Sequence, residues 1–123
     1  MSTPKMPTAV LPYNALIGQV IQKRRDLRKK SQGEIALALG LTQSAYSRIE
    51  SGQTALTVSH LRSLAHALGD SPESILSEAD NLAKQLARKG VQVPNEKPTD
   101  DNDAAKAALL IGLGILVALL ASK

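Results

Sequence analysis

A chain of 123 residues has room for one domain, and its net charge of +4 is compatible with a polyanionic partner. Cys, Phe and Trp are absent, which excludes a disulfide framework and a thiolate metal site. The core is left to Leu, Ile, Val and Ala, which suits packed helices better than a sheet, and the lack of Cys fits a reducing cytoplasm.

Residues 1–14 carry Pro4, Pro7 and Pro12 without an apolar period and read as a flexible arm. No apolar run follows the first basic residue there, so a signal peptide is not expected. Residues 15–89 form the expected globular unit, about 75 residues that fold alone around a modest core. Leu16, Ile17, Val20, Ile21, Arg24 and Leu27 recur at helical spacing and predict a first helix over 15–29. Within it begins a basic run, Lys23, Arg24, Arg25, Arg28, Lys29 and Lys30. Such a run can release counterions from a polyanion, and is also what a solvated helix face carries.

Ser31 with Glu34 makes a capping box for a second helix over 32–39, with Ile35, Ala36 and Leu39 facing inward. Gly40 is placed for the left-handed turn that follows. Thr42 caps a third helix over 43–51, whose buried stripe is Ala45, Tyr46 and Ile49 and which Gly52 closes. Thr57 caps a fourth, with Val58, Leu61, Leu64, Ala65 and Leu68 on one face and Gly69 at its end. Ser71 and Pro72 start a fifth that presents Ile75, Leu76, Ala79, Leu82, Ala83 and Leu86 and stops at Gly90. The expected architecture is a compact all-α domain of five short helices.

Ser31–Gly52, two short helices around a glycine turn, resembles the phage repressor and Cro-like helix-turn-helix family. Ser31-Gln32-x-Glu34-Ile35-Ala36 is similar to its first motif helix, and Gly40-Leu41-Thr42 to its turn. Ser47-Arg48-Ile49-Glu50-Ser51-Gly52 is similar to the end of its recognition helix, and Leu64-Ala65-x-Ala67-Leu68-Gly69 to the helix beyond. The resemblance covers residues 15–76. It implies a repressor-like DNA-binding fold and a DNA-binding transcriptional regulator. It further implies a homodimer on a palindromic operator in double-stranded DNA, the third helix lying in successive major grooves.

By that resemblance Gln43, Ser44, Ser47 and Arg48 lie on the surface that meets DNA. A Gln bonds adenine through two contacts, and a Ser hydroxyl bonds any base edge. Gln32 is implied to reach a phosphate, aided by the positive end of its helix. Arg25 and Glu50 are implied to form a structural ion pair between the first and third helices. Two departures stand out: Lys30 replaces a usual apolar residue, and Leu56 a common Pro. The loop over 53–56 has no Lys or Arg, so Ser51, Gln53, Thr54 and backbone amides are left to meet phosphates there. Tyr46 takes a usually aliphatic core position and is expected to pack rather than stack on a base.

His60 and His66 lie six apart on one helix, off a common face and without acidic or Cys partners, so no metal site is read. No catalytic triad, phosphate-cradling glycine loop or paired carboxylates stand out, so neither catalytic residues nor a cofactor is expected.

Residues 90–103, with Pro94, Pro98, Glu96, Asp100, Asp101 and Asp103, read as a polar linker. Residues 104–121 then form a separate apolar helix of roughly 27 Å at ~1.5 Å per residue, near the short limit for spanning a membrane. Lys106 and Lys123 can snorkel to opposite interfaces. Basic residues concentrate before the span, which places the helical domain on the cytoplasmic side of the inner membrane. Ala108 with Gly112, and Gly114 with Ala118, give small-residue spacings that pair helices; the other use of such a helix is to fold back or to join a soluble oligomer. Two further readings remain open. One is a membrane-anchored module that binds a protein partner such as a cytoskeletal filament. The other is an antitoxin-like or phage accessory DNA-binding protein.

Overall fold

Six helices follow one another among the described residues, which are 9–96 and 102–122 of the computed structural model. They are α1 (Tyr13–Leu27), α2 (Gln32–Leu39), α3 (Gln43–Glu50), α4 (Val58–Leu68), α5 (Pro72–Arg88) and α6 (Asp103–Ala121). The fold is all-α. Two units divide it: Asn14–Asn81, and the segment up to Tyr13 together with everything from Leu82 onward.

In the first unit the caps act as the side chains dictate. Ser31 Oγ accepts from the Glu34 N–H at 3.1 Å while Glu34 Oε1 accepts from the Ser31 N–H at 3.1 Å, closing a capping box. Thr42 Oγ1 accepts from the Ala45 N–H at 3.1 Å and so starts α3. Between them Gly40 holds φ +72°, where a Cβ would be strained, and Leu41 N–H reaches back to Ala36 O at 2.9 Å. That turn lets α2 pack against both α3 and α4.

The core of this unit is Leu16, Ile17, Val20, Ile21, Ile35, Ala36, Tyr46, Ile49, Leu61, Leu64, Ala65, Leu68, Ile75 and Ala79, all buried. Several positions with helical spacing depart from expectation, two of them strongly. Leu27 is 68 % and Val58 76 % exposed, because each is the terminal residue of its helix, past the point where a neighbour covers the stripe. Leu39 and Ala45 are only half-buried, and Leu76 lies just on the exposed side.

The second unit corrects the reading of residues 9–13 as loose arm and of 91–94 as bare linker. Ala9, Val10, Leu11 and Val91 are buried. Val10 and Gln92 form an isolated parallel bridge, in which Gln92 N–H donates to Ala9 O at 3.1 Å and Leu11 N–H to Gln92 O at 2.8 Å. Tyr13 N–H donates to Pro94 O at 2.8 Å. Apolar Ala9-Val10-Leu11 is too short for a period to show, yet long enough to bury and pair its backbone. The remainder of the arm, residues 1–8, and residues 97–101 of the linker lie outside the described residues.

Asn102 Oδ1 caps α6, accepting from the Ala105 N–H at 2.7 Å. Ala108, Gly112 and Leu116 form its buried stripe, while Leu110, Ile111 and Val117 are exposed. By length and composition α6 suffices to cross a membrane.

Candidate nucleic-acid interface

The outward face of α3 follows from helical geometry. At about 100° per residue, Gln43, Ser44, Ser47, Arg48 and Ser51 fan over one side, and Tyr46, Ile49 and Glu50 over the other. The second set is buried. Gln43, Ser44, Arg48 and Ser51 are exposed, Ser47 is half-buried, and Gln53 and Thr54 are exposed just beyond the helix. The α3 surface is therefore small, polar and rich in donors that fit base edges and phosphates.

What holds α3 in place is a charged fork beneath it. Arg25 Nε donates to Glu50 Oε2 at 2.7 Å and Nη2 to Oε1 at 3.0 Å, a two-point contact. Arg25 is 8 % and Glu50 3 % exposed. Arg25 Nη1 also donates to Lys30 O at 2.9 Å, tying down the chain between α1 and α2. Tyr46 Oη donates to Glu50 Oε2 at 2.6 Å, so the tyrosine in an aliphatic position finds a partner for its hydroxyl.

Gln32, expected to reach a phosphate, has a partner within the fold. Its Nε2 donates to Glu50 Oε1 at 2.9 Å, so the side chain braces the fork. Two glycines complete the seat: Gly52, which the sequence places at the close of the third helix, and Gly18, which helical spacing alone does not single out. A Cβ at Gly18 would overlap the carbonyl oxygen of Glu50, and one at Gly52 the backbone of Ala15. Thus α1 lies against the end of α3 with no room for a side chain. A glycine inside a helical pattern was the available signal for Gly18.

Burial alone would raise the Glu50 carboxyl, but bonds from Arg25, Tyr46 and Gln32 outweigh it and hold the group below its ordinary range. The Tyr46 phenol is pushed up, first by burial and then by its bond to the Glu50 carboxylate. The bond to Glu50 raises Arg25 further, against its own desolvation.

The basic run is mostly engaged within the chain. Arg24 Nε donates to Glu78 Oε1 at 2.8 Å and Nη1 to Asp70 Oδ2 at 3.1 Å, with Ser74 Oγ at 2.9 Å. Lys23 Nζ meets Glu78 Oε2 at 3.1 Å, and Arg28 pairs with Asp70. Burial would raise Glu78, yet Arg24 and Lys23 hold it low. Lys29 and Lys30 pair with no carboxylate among the described residues. No group of three His, Asp or Glu side chains suited to a metal occurs among those residues.

Residues 21–76 match the profile of the helix-turn-helix family. The chain carries a helix-turn-helix domain. Two crystal structures of the clp gene regulator ClgR from Corynebacterium glutamicum are similar to the chain carrying this domain. One is 26 % identical with a TM-score of 0.53, covering 56 % of this chain and 90 % of that one. The other is 27 % identical with a TM-score of 0.58, covering 63 % and 83 %. Among curated proteins nothing matches. In the helix-turn-helix domain α2 is the first motif helix and α3 the second.

Proposed function

We propose that this protein is a sequence-specific DNA-binding transcriptional regulator that reads the major groove with α3. The observation that carries this reading is the outward polar face of exposed Gln43, Ser44 and Arg48 with half-buried Ser47, on a helix braced by the Arg25–Glu50 fork. Its occurrence in a helix-turn-helix domain similar to a gene regulator supports it. Gln43 and Ser44 read base edges, and Arg48, Ser51, Gln53 and Thr54 meet the backbone. At the start of α2 the phosphate contact falls to first-turn amides, since the Gln32 side chain is turned to Glu50. A homodimer on a palindromic site is the expected assembly.

The α6 helix anchors the protein in the inner membrane, with the DNA-binding domain on the cytoplasmic side. A length of 19 residues, with one narrow stripe buried, supports this. Selecting genomic fragments with the full chain tests base reading, and membrane fractionation tests the anchor. If Gln43→Ala with Ser44→Ala selects the same fragments as the parent protein, base reading by α3 is wrong.

One observation favours a second reading, a membrane-anchored module for a protein partner. Lys23, Arg24, Arg25 and Arg28 are paired internally, which removes much of the positive face that DNA would meet. Failure of the full chain to retain any fragment at moderate salt would favour that reading.

A further inference from the structure

Val10 N–H donates to Ala108 O at 3.0 Å, so the strap formed by residues 9–12 crosses α6 one to two turns from its start. A Cβ at Gly112 would overlap the carbonyl oxygen and carbon of Val10. Gly112, lacking a Cβ, thus lets the strap lie directly on the helix backbone at that point. On its other edge the strap is pinned to Gln92 through the Ala9 carbonyl and the Leu11 N–H. Ala108 and Gly112 are therefore occupied by the chain's own backbone. Gly114 has nothing within 4 Å of where a Cβ would stand.

This arrangement conflicts with full insertion of α6. A strap lying over Ala108 and Gly112 would enter hydrocarbon with the helix, bringing the irregular backbone of residues 9–11 and 92. Lipid-exposed irregular backbone does not occur at that depth, because its polar groups have no water to satisfy them. With the strap in place, only Leu113–Ala121 remains clear, roughly 13 Å of helix against a hydrocarbon core of ~30 Å.

We propose that Ala9–Pro12 is a latch that holds α6 off the bilayer, so that latching and membrane insertion are mutually exclusive states of this protein. The proposal rests on the reading of α6 as a membrane anchor. A released latch leaves Val10 and Leu11, buried when docked, without cover. The membrane must therefore outbid the strap for α6, and anything that retains the strap retains the unanchored form.

The test uses the full chain, dialysed from a dissociable detergent with or without vesicles of phosphatidylethanolamine and phosphatidylglycerol. Gly112→Val is compared with Gly114→Val, which adds the same apolar surface to the same helix without touching the strap. Flotation at limiting lipid should rise roughly two- to tenfold for Gly112→Val over both the parent and Gly114→Val, the range expected for losing about one competing hydrogen-bonded contact. In the unaltered chain, hydrogen exchange at the Val10 and Leu11 amides should be slow without vesicles and fast once the protein is bound to them. Equal flotation of the two variants, or Val10 protection retained on vesicles, overturns the latch and leaves the anchor standing. Failure of every form to float overturns the anchor and the latch together.

Discussion

Gln32 and Glu50, eighteen positions apart in sequence, are joined by a hydrogen bond of 2.9 Å from amide to carboxylate. That contact links the first residue of α2 to the last residue of α3. With Arg25 and Tyr46 it makes Glu50 the acceptor at which α1, α2 and α3 meet. The angle between the two motif helices is set partly by this carboxylate.

Gln32→Ala separates a brace from a phosphate contact. Losing a bond to a charged group costs about 1.5–3 kcal/mol of stability, read by urea denaturation. As a brace, the residue leaves the salt dependence of DNA binding unchanged. A phosphate contact by this uncharged side chain would instead lower affinity for all fragments alike, with stability intact.

Glu50→Ala strips the buried Arg25 of its two-point partner and leaves it only the exposed Asp26 carboxylate at 3.2 Å and the Lys30 carbonyl; breaking a buried pair on one side costs about 3–5 kcal/mol. The melting midpoint should fall by many degrees. An unchanged thermal melt would falsify the structural role of the pair.

The pH dependence has a definite sign. Glu50 and Glu78 are held below their reference value of 4.5. Their stabilisation is therefore complete above that value and is lost as pH falls through the lowered folded values. Tyr46 is shifted up from 10.0, so its contribution is complete below that pH and is lost in more alkaline solution. Urea midpoints from pH 7 to pH 2 should decline for the parent. In Glu50→Gln, a weaker starting protein, the decline should be shallower.

Arg24→Ala should behave as a stability change. Its guanidinium ties α1 to Asp70, Ser74 and Glu78, so its loss lowers the denaturation midpoint. Lys29→Ala, by contrast, should reduce the salt slope of DNA binding by up to about one unit with little effect on stability.

Much of the motif was legible because its signals are local. Ser31, Thr42 and Thr57 accept from the N–H three residues on, and Gly40 and Gly69 end their helices in the left-handed region, as residue type and spacing imply. Arg25 and Glu50 came from family resemblance, since nothing in a 25-residue separation dictates a pair. What spacing cannot carry is the partner across the fold. The acids that engage Lys23, Arg24 and Arg28 lie 42 to 55 positions away, so the basic run read as a free positive surface. The strap was hidden in a similar way: the prolines around Ala9–Leu11 suggested slack chain, while its partners Gln92 and Ala108 lie far along the sequence.

Tyr46 has a spectroscopic consequence. The chain holds two Tyr and no Trp, so its near-ultraviolet absorbance and emission come from Tyr13 and Tyr46 alone. One of those two chromophores is sealed in the core with its hydroxyl on the Glu50 carboxylate. A carboxylate acceptor quenches phenol emission, so loosening the fork should brighten the protein before its helices melt. The motif thus contains its own optical probe, readable without a label.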